Sequence, residues 1–292
     1  MSAVQGDCPI RVPARRSISC SPAQAPPFAV PVVRHPLLDL DQRTVVGHRG
    51  NCAHAPENTL ESFRQAIALG VDVLEFDVRI SRDGHVVVFH DPTVMRTTGA
   101  PGEVATMTLD ELRALDAGTT FSPDGGVTFP YRGRGVGIST LREVLAATDD
   151  MPVLIEVKVP EASLATREVI RTLGAEARCV VGSFRPQAIA PFAGSGIAVG
   201  AAPAQVAPLC IPALFGRRYS HLPFQAMSLP RFYNGIPVPL GALARAVALA
   251  DVAIQVWTIN SPQVAMRLWG AGIQGIISDD PATILRARST MG

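Results

Sequence analysis

Short apolar runs alternate along the chain with segments whose apolar residues recur at helical spacing. The apolar runs are rich in β-branched residues, as strands are; they cover residues 44–47, 72–80, 152–158, 179–184, 197–201, 224–229, 253–259 and 275–278. The segments predicted to be helices cover residues 58–69, 140–147, 161–173, 241–250 and 261–270. Short apolar strands separated by helices favour parallel pairing. Because eight such units fill about 250 residues, the pattern predicts an α/β fold, a (β/α)8 TIM barrel.

The alternation is interrupted once, after the second predicted strand. An Asp83-Gly84 pair is typical of a tight turn, and the apolar run behind it ends at His90-Asp91, so a hairpin is expected here. The next segment, residues 92–138, is rich in glycine and contains one capped helix start at residues 108–112. We predict that this segment is a small insertion after the second strand.

Residues 1–40 differ from the rest of the chain. They contain clusters of proline and serine and show neither strand nor helix periodicity. Their one adjacent basic pair, Arg15-Arg16, is not followed by the apolar stretch of a secretory signal peptide. We therefore predict a poorly ordered N-terminal tail over residues 1–40 and a barrel domain over residues 41–292.

The segment from Pro186 to Gly216 carries no charged residue, which is also a feature of membrane-spanning helices. Its five prolines would interrupt such a helix repeatedly. The expectation is therefore a buried strand with short helices, and no stable insertion into a membrane.

Composition narrows the possible functions. Of the 292 residues 47% are hydrophobic and the net charge is +1, which indicates a globular chain without the basic surplus of a nucleic-acid-binding protein. Five scattered cysteines form no Cys-x-x-Cys motif, so their spacing favours neither a disulfide framework nor a zinc site. Such cysteine usage predicts a reducing, cytoplasmic location. The sequence gives no indication of the oligomeric state.

Titratable residues stand where the first predicted strands end. His48-Arg49-Gly50 closes the first strand, and the hairpin ends at His90-Asp91. Glu75 and Asp77 fall on one face of the second strand, because side chains alternate along a strand. The carboxyl ends of barrel strands are where active sites are built. The two imidazoles are suited to proton transfer near neutral pH.

Three carboxylates are expected to converge at this rim, from Glu75, Asp77 and, on the third barrel strand, Glu156. Neighbouring anions repel one another unless a cation joins them. Oxygen ligands suit a hard ion, so we predict one divalent cation, Mg²⁺ or Ca²⁺. The alternative is a surface salt bridge, for example with Lys158.

The motifs together resemble the glycerophosphodiester phosphodiesterases. The resemblance covers roughly residues 44 to 285 and its motifs occur in the family's order and spacing. They are His48-Arg49-Gly50, Pro56-Glu57-Asn58-Thr59, Glu75-x-Asp77, His90-Asp91 and the later segments 155–158, 183–184, 256–260 and 277–279. Asp280 departs from the pattern, because arginine is common at that position in the family.

The resemblance implies an enzyme that hydrolyses a small-molecule glycerophosphodiester to sn-glycerol 3-phosphate and an alcohol. It implies that His48 and His90 are the catalytic acid–base pair and that Glu75, Asp77 and Glu156 bind the metal. It also favours phosphate contacts for Arg49 and Lys158. Trp257 stands near the end of the seventh predicted strand, where its apolar ring is expected to bound the glycerol pocket. For the two cations the alternative is neutralisation of nearby carboxylates, and for the tryptophan it is core packing.

Three alternative functions remain open from the sequence. A lysophospholipase D would act on acylated substrates. A metal-free phospholipase C of the phosphatidylinositol type would also use two histidines on a barrel, but the three intact carboxylates argue against it. A non-catalytic phosphodiester-binding barrel would be expected to lack a ligand or a histidine, and none is missing. Because residues 92–138 contain few large apolar side chains for an acyl groove, deacylated substrates are expected to be preferred.

Overall fold

The computed structural model describes residues 35–291. Within them, eight parallel strands match the eight predicted ones and form a barrel, so the predicted (β/α)8 fold is confirmed. The barrel strands are β1 (Thr44–His48), β2 (Val73–Ile80), β4 (Val153–Val157), β5 (Cys179–Gly182), β6 (Ala198–Val199), β7 (Ala226–Pro230), β10 (Ala253–Trp257) and β11 (Gly275–Ser278). The remaining strands, β3 (Val86–Val88), β8 (Phe232–Tyr233) and β9 (Ile236–Pro237), pair antiparallel.

The strands follow one another around the barrel in the order β6-β5-β4-β2-β1-β11-β10-β7. Two backbone hydrogen bonds span the remaining gap between β6 and β7: Gln225 N donates to Val199 O at 2.9 Å, and Ala201 N to Ala226 O at 2.8 Å. All eight carboxyl ends therefore open onto one rim, which is the rim that carries the predicted site residues.

Helices pack around the barrel, and all five predicted ones are found within three residues of their predicted ends. The helices of the described chain are α1 (Leu60–Leu69), α2 (Met95–Thr98), α3 (Leu109–Arg113), α4 (Leu141–Ala147), α5 (Ser163–Thr172), α6 (Pro186–Ile189), α7 (Pro203–Leu214), α8 (Leu240–Val247), α9 (Pro262–Gly270) and α10 (Pro281–Ser289). Among these residues no helix is long and apolar enough to cross a membrane.

The prediction of only short helices over residues 186–216 was wrong for α7, which is twelve residues long. Pro203 occupies its first turn, where a missing backbone N–H is harmless. Pro208 and Pro212 lie inside the helix, four residues apart and so on one side of it. Burial of Val206, Leu209 and Ala213 against the barrel stabilises the helix despite the hydrogen bonds that the prolines remove.

The insertion after the second strand has a small core of its own. Residues 92–138 contain α2 and α3, and their apolar side chains are buried together with the strand β3. The members of this core include Val87, Phe89, Val94, Val104, Leu109, Leu112 and Ile138. The segment is thus a folded part of the rim.

The proposed tail, residues 1–40, lies outside the described residues as far as residue 34. Its last residues are described, and they close the end of the barrel opposite the site. Leu37, in a single 3₁₀ turn over Pro36–Leu38, is fully buried among the residues that fill the barrel interior. Gln255 Nε2 donates to Leu37 O at 2.9 Å, and Thr44 Oγ1 donates to Pro36 O at 3.0 Å. We therefore propose that the barrel domain begins near residue 35.

Replacing Leu37 with alanine is expected to lower the free energy of unfolding by about 2–5 kcal/mol, because a fully buried leucine leaves a cavity that the strands cannot fill. Urea denaturation followed by circular dichroism measures the change. Leu249→Ala is the matched control, since Leu249 is 63% exposed and its loss should cost no more than about 0.5 kcal/mol. Equal stability of the two variants would show that Leu37 does not close the barrel.

Candidate active site

A tight turn after β1 sets the position of His48 and Arg49. Arg49 and Gly50 both have positive φ, 48° and 91°. A Cβ on Gly50 would lie 2.3 Å from Ser62 Oγ, so a side chain cannot be accommodated there. The turn directs the backbone N–H of Arg49 to Glu75 Oε2 at 3.0 Å. The conformation of this motif therefore ties the end of β1 to the carboxylate on β2.

His48 is oriented by an aspartate from the far end of the chain. Its Nδ1 lies 2.6 Å from Asp279 Oδ1, and its Nε2 lies 3.9 Å from Glu75 Oε2. Burial lowers the pKa of His48, but the hydrogen bond with Asp279 and the charge of Glu75 raise it above the ordinary value. Asn260 in turn fixes Asp279, donating Nδ2–H to Oδ2 and accepting from the backbone N–H, each at 2.9 Å.

The three predicted carboxylates are brought together. Oxygens of Glu75, Asp77 and Glu156 lie within 4.8 Å of one another, because β2 and β4 pair with Asp77 opposite Glu156. Burial and the charge of Asp77 raise the pKa of Glu75 to about 7, and the same two causes raise the pKa of Glu156. Burial also opposes ionisation of Asp77, but Lys158 and Arg49 outweigh it and lower the pKa of that carboxyl. A buried group of carboxylate oxygens whose negative charges repel one another fits a divalent cation.

Both predicted substrate cations contact these carboxylates. Lys158 Nζ lies 2.8 Å from Glu156 Oε1 and 3.4 Å from Asp77 Oδ1. Arg49 Nε lies 3.2 Å from Asp77 Oδ2. The neutralising contacts that the sequence offered as the alternative are therefore present, and both side chains also line the site's cavity.

Asn58 and Glu61 have the sequence spacing of a capping box, which predicts Asn58 as the cap of α1. The structure shows that this prediction is wrong. The cap is Thr59, whose Oγ1 accepts a hydrogen bond from Ser62 N at 3.3 Å. Asn58 is buried with φ of 59°, and its Nδ2 donates to Asp77 Oδ2 at 2.9 Å. Its left-handed backbone turns the side chain toward the carboxylates, where it orients one of them.

His90 has its own aspartate, the adjacent Asp91, whose Oδ1 lies 2.6 Å from His90 Nδ1. Although burial opposes it, hydrogen bonds from Arg96 and His90 lower the pKa of Asp91 to about 2. Arg96 Nε donates to Asp91 Oδ2 at 2.6 Å, and its two terminal nitrogens donate to Glu57 at 2.6 and 2.7 Å.

Glu57 also accepts from Arg49 Nη1 at 2.8 Å. Arg96 and Glu57 therefore form a bridge between the segments that carry the two histidines, and we call this pair the rim bridge. Sequence reasoning missed Arg96. Its position five residues after Asp91 was the one local signal, and that spacing alone does not predict a contact.

A cavity of about 630 Å³ opens at the rim. His48, Arg49, Glu75, His90, Glu156 and Lys158 line one side of it. The other side, which we call the apolar wall, is formed by Phe184, Ala204, Ala207, Leu229, Val238 and Trp257. The rings of Phe184 and Trp257 meet edge to face with centroids 5.8 Å apart. The predicted catalytic and substrate residues thus face one space, and two of the three predicted metal ligands line it.

Comparisons with known proteins show which family this chain resembles. The sequence profile of the "Glycerophosphoryl diester phosphodiesterase family" matches residues 48–189. A "Glycerophosphodiester phosphodiesterase" of Caldanaerobacter subterraneus is 31% identical over 82% of this chain and 96% of its own length. A "Putative glycerophosphodiester phosphodiesterase" of Bacillus subtilis is 29% identical over 83% and 96%.

Solved structures show the same fold. The glycerophosphoryl diester phosphodiesterase domain of a Mycobacterium tuberculosis protein superposes with a TM-score of 0.74 at 20% identity, covering 86% of this chain and all of that one. An Oleispira antarctica phosphodiesterase, solved in complex with the product sn-glycerol-3-phosphate, gives 0.67 at 25% identity, covering 84% and 96%.

The barrel and its rim define a hydrolase of the (β/α)8 type. The chain belongs to the glycerophosphodiester phosphodiesterase family, and the resemblance drawn from its motifs is confirmed.

Proposed function

We propose that the enzyme hydrolyses glycerophosphodiesters to sn-glycerol 3-phosphate and an alcohol by metal-dependent acid–base catalysis with His48 and His90. The observation that carries the proposal is that two imidazoles, each held through Nδ1 by an aspartate, face one cavity with the carboxylates. The Oleispira antarctica relative bound to sn-glycerol-3-phosphate supports the product. A cytoplasmic location stays a prediction from the cysteine usage.

The orientation of the histidines assigns the proton transfers to their Nε2 atoms. Because Asp279 and Asp91 occupy the Nδ1 atoms, each Nε2 is left for the substrate. One imidazole removes the proton of the attacking hydroxyl, and the other protonates the departing alkoxide. The rim bridge keeps the two rings in a fixed relation while these transfers occur.

Glu75, Asp77 and Glu156 would hold one divalent cation, Mg²⁺ or Ca²⁺. When bound, such an ion withdraws negative charge from the phosphoryl oxygens. Arg49 and Lys158 line the same side of the cavity, and we assign them contacts to the phosphate. Trp257 stands at the border of the apolar wall, where it would bound the glycerol.

A second candidate function is hydrolysis of lysophospholipids, and the apolar wall favours it. The sequence argued against an acyl groove from the composition of residues 92–138, but the wall comes from other segments: α7, the ends of β7 and β10, and the turns after β5 and β9. Ala204 and Ala207 leave open space there, because their small side chains face the cavity. A hydrocarbon chain fits such a surface, since each buried methylene contributes about 0.8 kcal/mol.

One experiment tests both functions. Rates are measured for glycerophosphocholine and for lysophosphatidylcholine of increasing chain length below the micelle concentration, with identification of the phosphate product. The first function predicts release of sn-glycerol 3-phosphate from glycerophosphocholine. The second predicts that kcat/KM rises about fourfold for each methylene that enters the wall.

Two variants test whether the acyl chain of the lysolipid binds at the apolar wall. Ala207→Phe fills the apolar wall and should lower kcat/KM for the lysolipid alone. Ile211→Phe places a phenyl ring on α7 outside the cavity, at a side chain that is 69% exposed, and should change neither rate. If neither substrate is hydrolysed, both functions are wrong. If the acyl chain lowers kcat/KM, the lysophospholipase function is wrong and the first one stands.

A further inference from the structure

A second group of possible metal ligands lies on the other edge of His48. Asp279 Oδ1 lies 2.6 Å from His48 Nδ1 and 3.0 Å from Cys52 Sγ. Ligand atoms of these three residues all lie within 4.8 Å of one another. We propose that this His–Cys–Asp cluster binds Zn²⁺ and that the bound zinc inhibits the enzyme.

The donor atoms of the His–Cys–Asp cluster differ from those of the carboxylates. Nitrogen and sulfur ligands suit zinc, whereas Mg²⁺ and Ca²⁺ prefer oxygen alone. Zinc bonds of about 2.0–2.3 Å with tetrahedral angles place ligand atoms roughly 3.4 Å apart. Two separations in the cluster, 2.6 and 3.0 Å, are therefore short by less than about 1 Å. Small side-chain rotations would open the cluster to the ion.

The backbone already holds the three residues in place. Ala53 N donates to Asp279 O at 3.0 Å, which pins the segment of Cys52 against the end of β11. His54 Nε2 lies 3.6 Å from Asp280 Oδ1, a second contact between the same two segments. Aspartate and a cysteine thiolate together neutralise the charge of Zn²⁺. Binding would release the thiol proton of Cys52 and would move the ring proton of His48 from Nδ1, where it is shared with Asp279, to Nε2.

Inhibition follows from the atom of His48 that the zinc would take. A neutral imidazole with a metal on Nδ1 keeps its one proton on Nε2, so it cannot accept another proton there. His48 would then be unable to alternate between acid and base. The loss of activity rests on the proposed role of His48, whereas binding of zinc does not.

Sequence spacing gave no sign of this cluster. Cys52 and Asp279 are 227 positions apart, and the zinc motifs considered in the sequence analysis use closely spaced ligands. The barrel brings the two together because β1 and β11 are adjacent and parallel. Any chain with the same β1–β11 pairing but without a thiol at position 52 would lack the sulfur ligand.

The experiment distinguishes zinc binding at the His–Cys–Asp cluster from zinc binding at the three carboxylates. Hydrolysis of glycerophosphocholine is titrated with Zn²⁺ in saturating Mg²⁺ or Ca²⁺, and Co²⁺ is bound to the same protein as an optical probe. Wild type should lose activity and show a thiolate-to-cobalt charge-transfer band. Cys52→Ser should lose that band and need about tenfold or more Zn²⁺ for half inhibition, because a hydroxyl is a poor zinc ligand.

Controls assign each result. Cys210→Ser removes a different thiol, which lines the cavity and lies outside the His–Cys–Asp cluster, and should keep both the band and the inhibition. Each variant is compared with its own zinc-free rate, and Cys52→Ala replaces Cys52→Ser if the latter does not fold. Unchanged zinc sensitivity in the Cys52 variants, or an unchanged cobalt band, overturns the proposal. If wild type hydrolyses no glycerophosphodiester, the cobalt band still decides binding and the proposed function alone fails.

Discussion

Removal of divalent cations is expected to abolish hydrolysis of glycerophosphocholine, and Mg²⁺ or Ca²⁺ is expected to restore it. The reason is the convergence of Glu75, Asp77 and Glu156, whose oxygens lie within 4.8 Å of one another at a largely buried position. Lys158 and Arg49 supply some positive charge, but burial and the charge of Asp77 still raise the pKa of Glu75 and that of Glu156, so ionisation of all three carboxylates is opposed until a cation joins them. Activity is measured after chelation, with the metal content determined by elemental analysis.

A variant pair tests whether the carboxylates are the ligands. Glu156→Gln should lower both bound metal and activity, because an amide is a weaker ligand for a hard cation than a carboxylate. Glu161→Gln changes an exposed glutamate five positions later and should alter neither. Full turnover in protein verified to be free of metal would contradict the prediction, and so would normal metal binding by Glu156→Gln.

Replacing His48 or His90 with alanine is expected to lower kcat by about 10²–10⁴, the usual contribution of one acid–base group. Each ring is held through Nδ1 by an aspartate at 2.6 Å, so the free Nε2 is lost in either variant. The fold should persist, because both side chains are only partly buried at the rim. Steady-state kinetics with glycerophosphocholine measures the effect.

His221→Ala is the matched control, since this exposed histidine lies outside the site and should leave kcat unchanged. Circular dichroism of each variant separates loss of catalysis from loss of folding. A folded His48→Ala or His90→Ala protein with near wild-type turnover would remove that residue from the mechanism.

The barrel could be predicted from the sequence because the signals for its strands and helices are local. Each strand such as Val153–Val157 is a short apolar run, and each helix such as Ser163–Thr172 has its own periodicity. Prediction failed where tertiary contacts decide. Burial holds α7 together in spite of two internal prolines, and the carboxylate of Asp77 draws Asn58 away from the helix cap.

The site could be predicted only in part for the same reason. The sequence motifs identified the histidines and the carboxylates, since these residues stand at strand ends that a barrel must bring together. The partners of those residues come from distant parts of the chain. Asp279 reaches His48 across 231 positions, and Glu57 reaches Arg96 across 39, so neither contact has a local signal.

The rim bridge limits how freely the loops of this enzyme can be exchanged. Loops at the carboxyl end of a barrel are usually interchangeable parts, because the strands hold the scaffold without them. Here the insertion contributes Arg96, which joins Asp91, the support of His90, to Glu57. A transplanted loop of equal length but without that arginine would leave Asp91 and Glu57 as neighbouring anions. The segment 92–138 and the motif that contains Glu57 therefore have to be exchanged together, because the contact between them positions the two histidines.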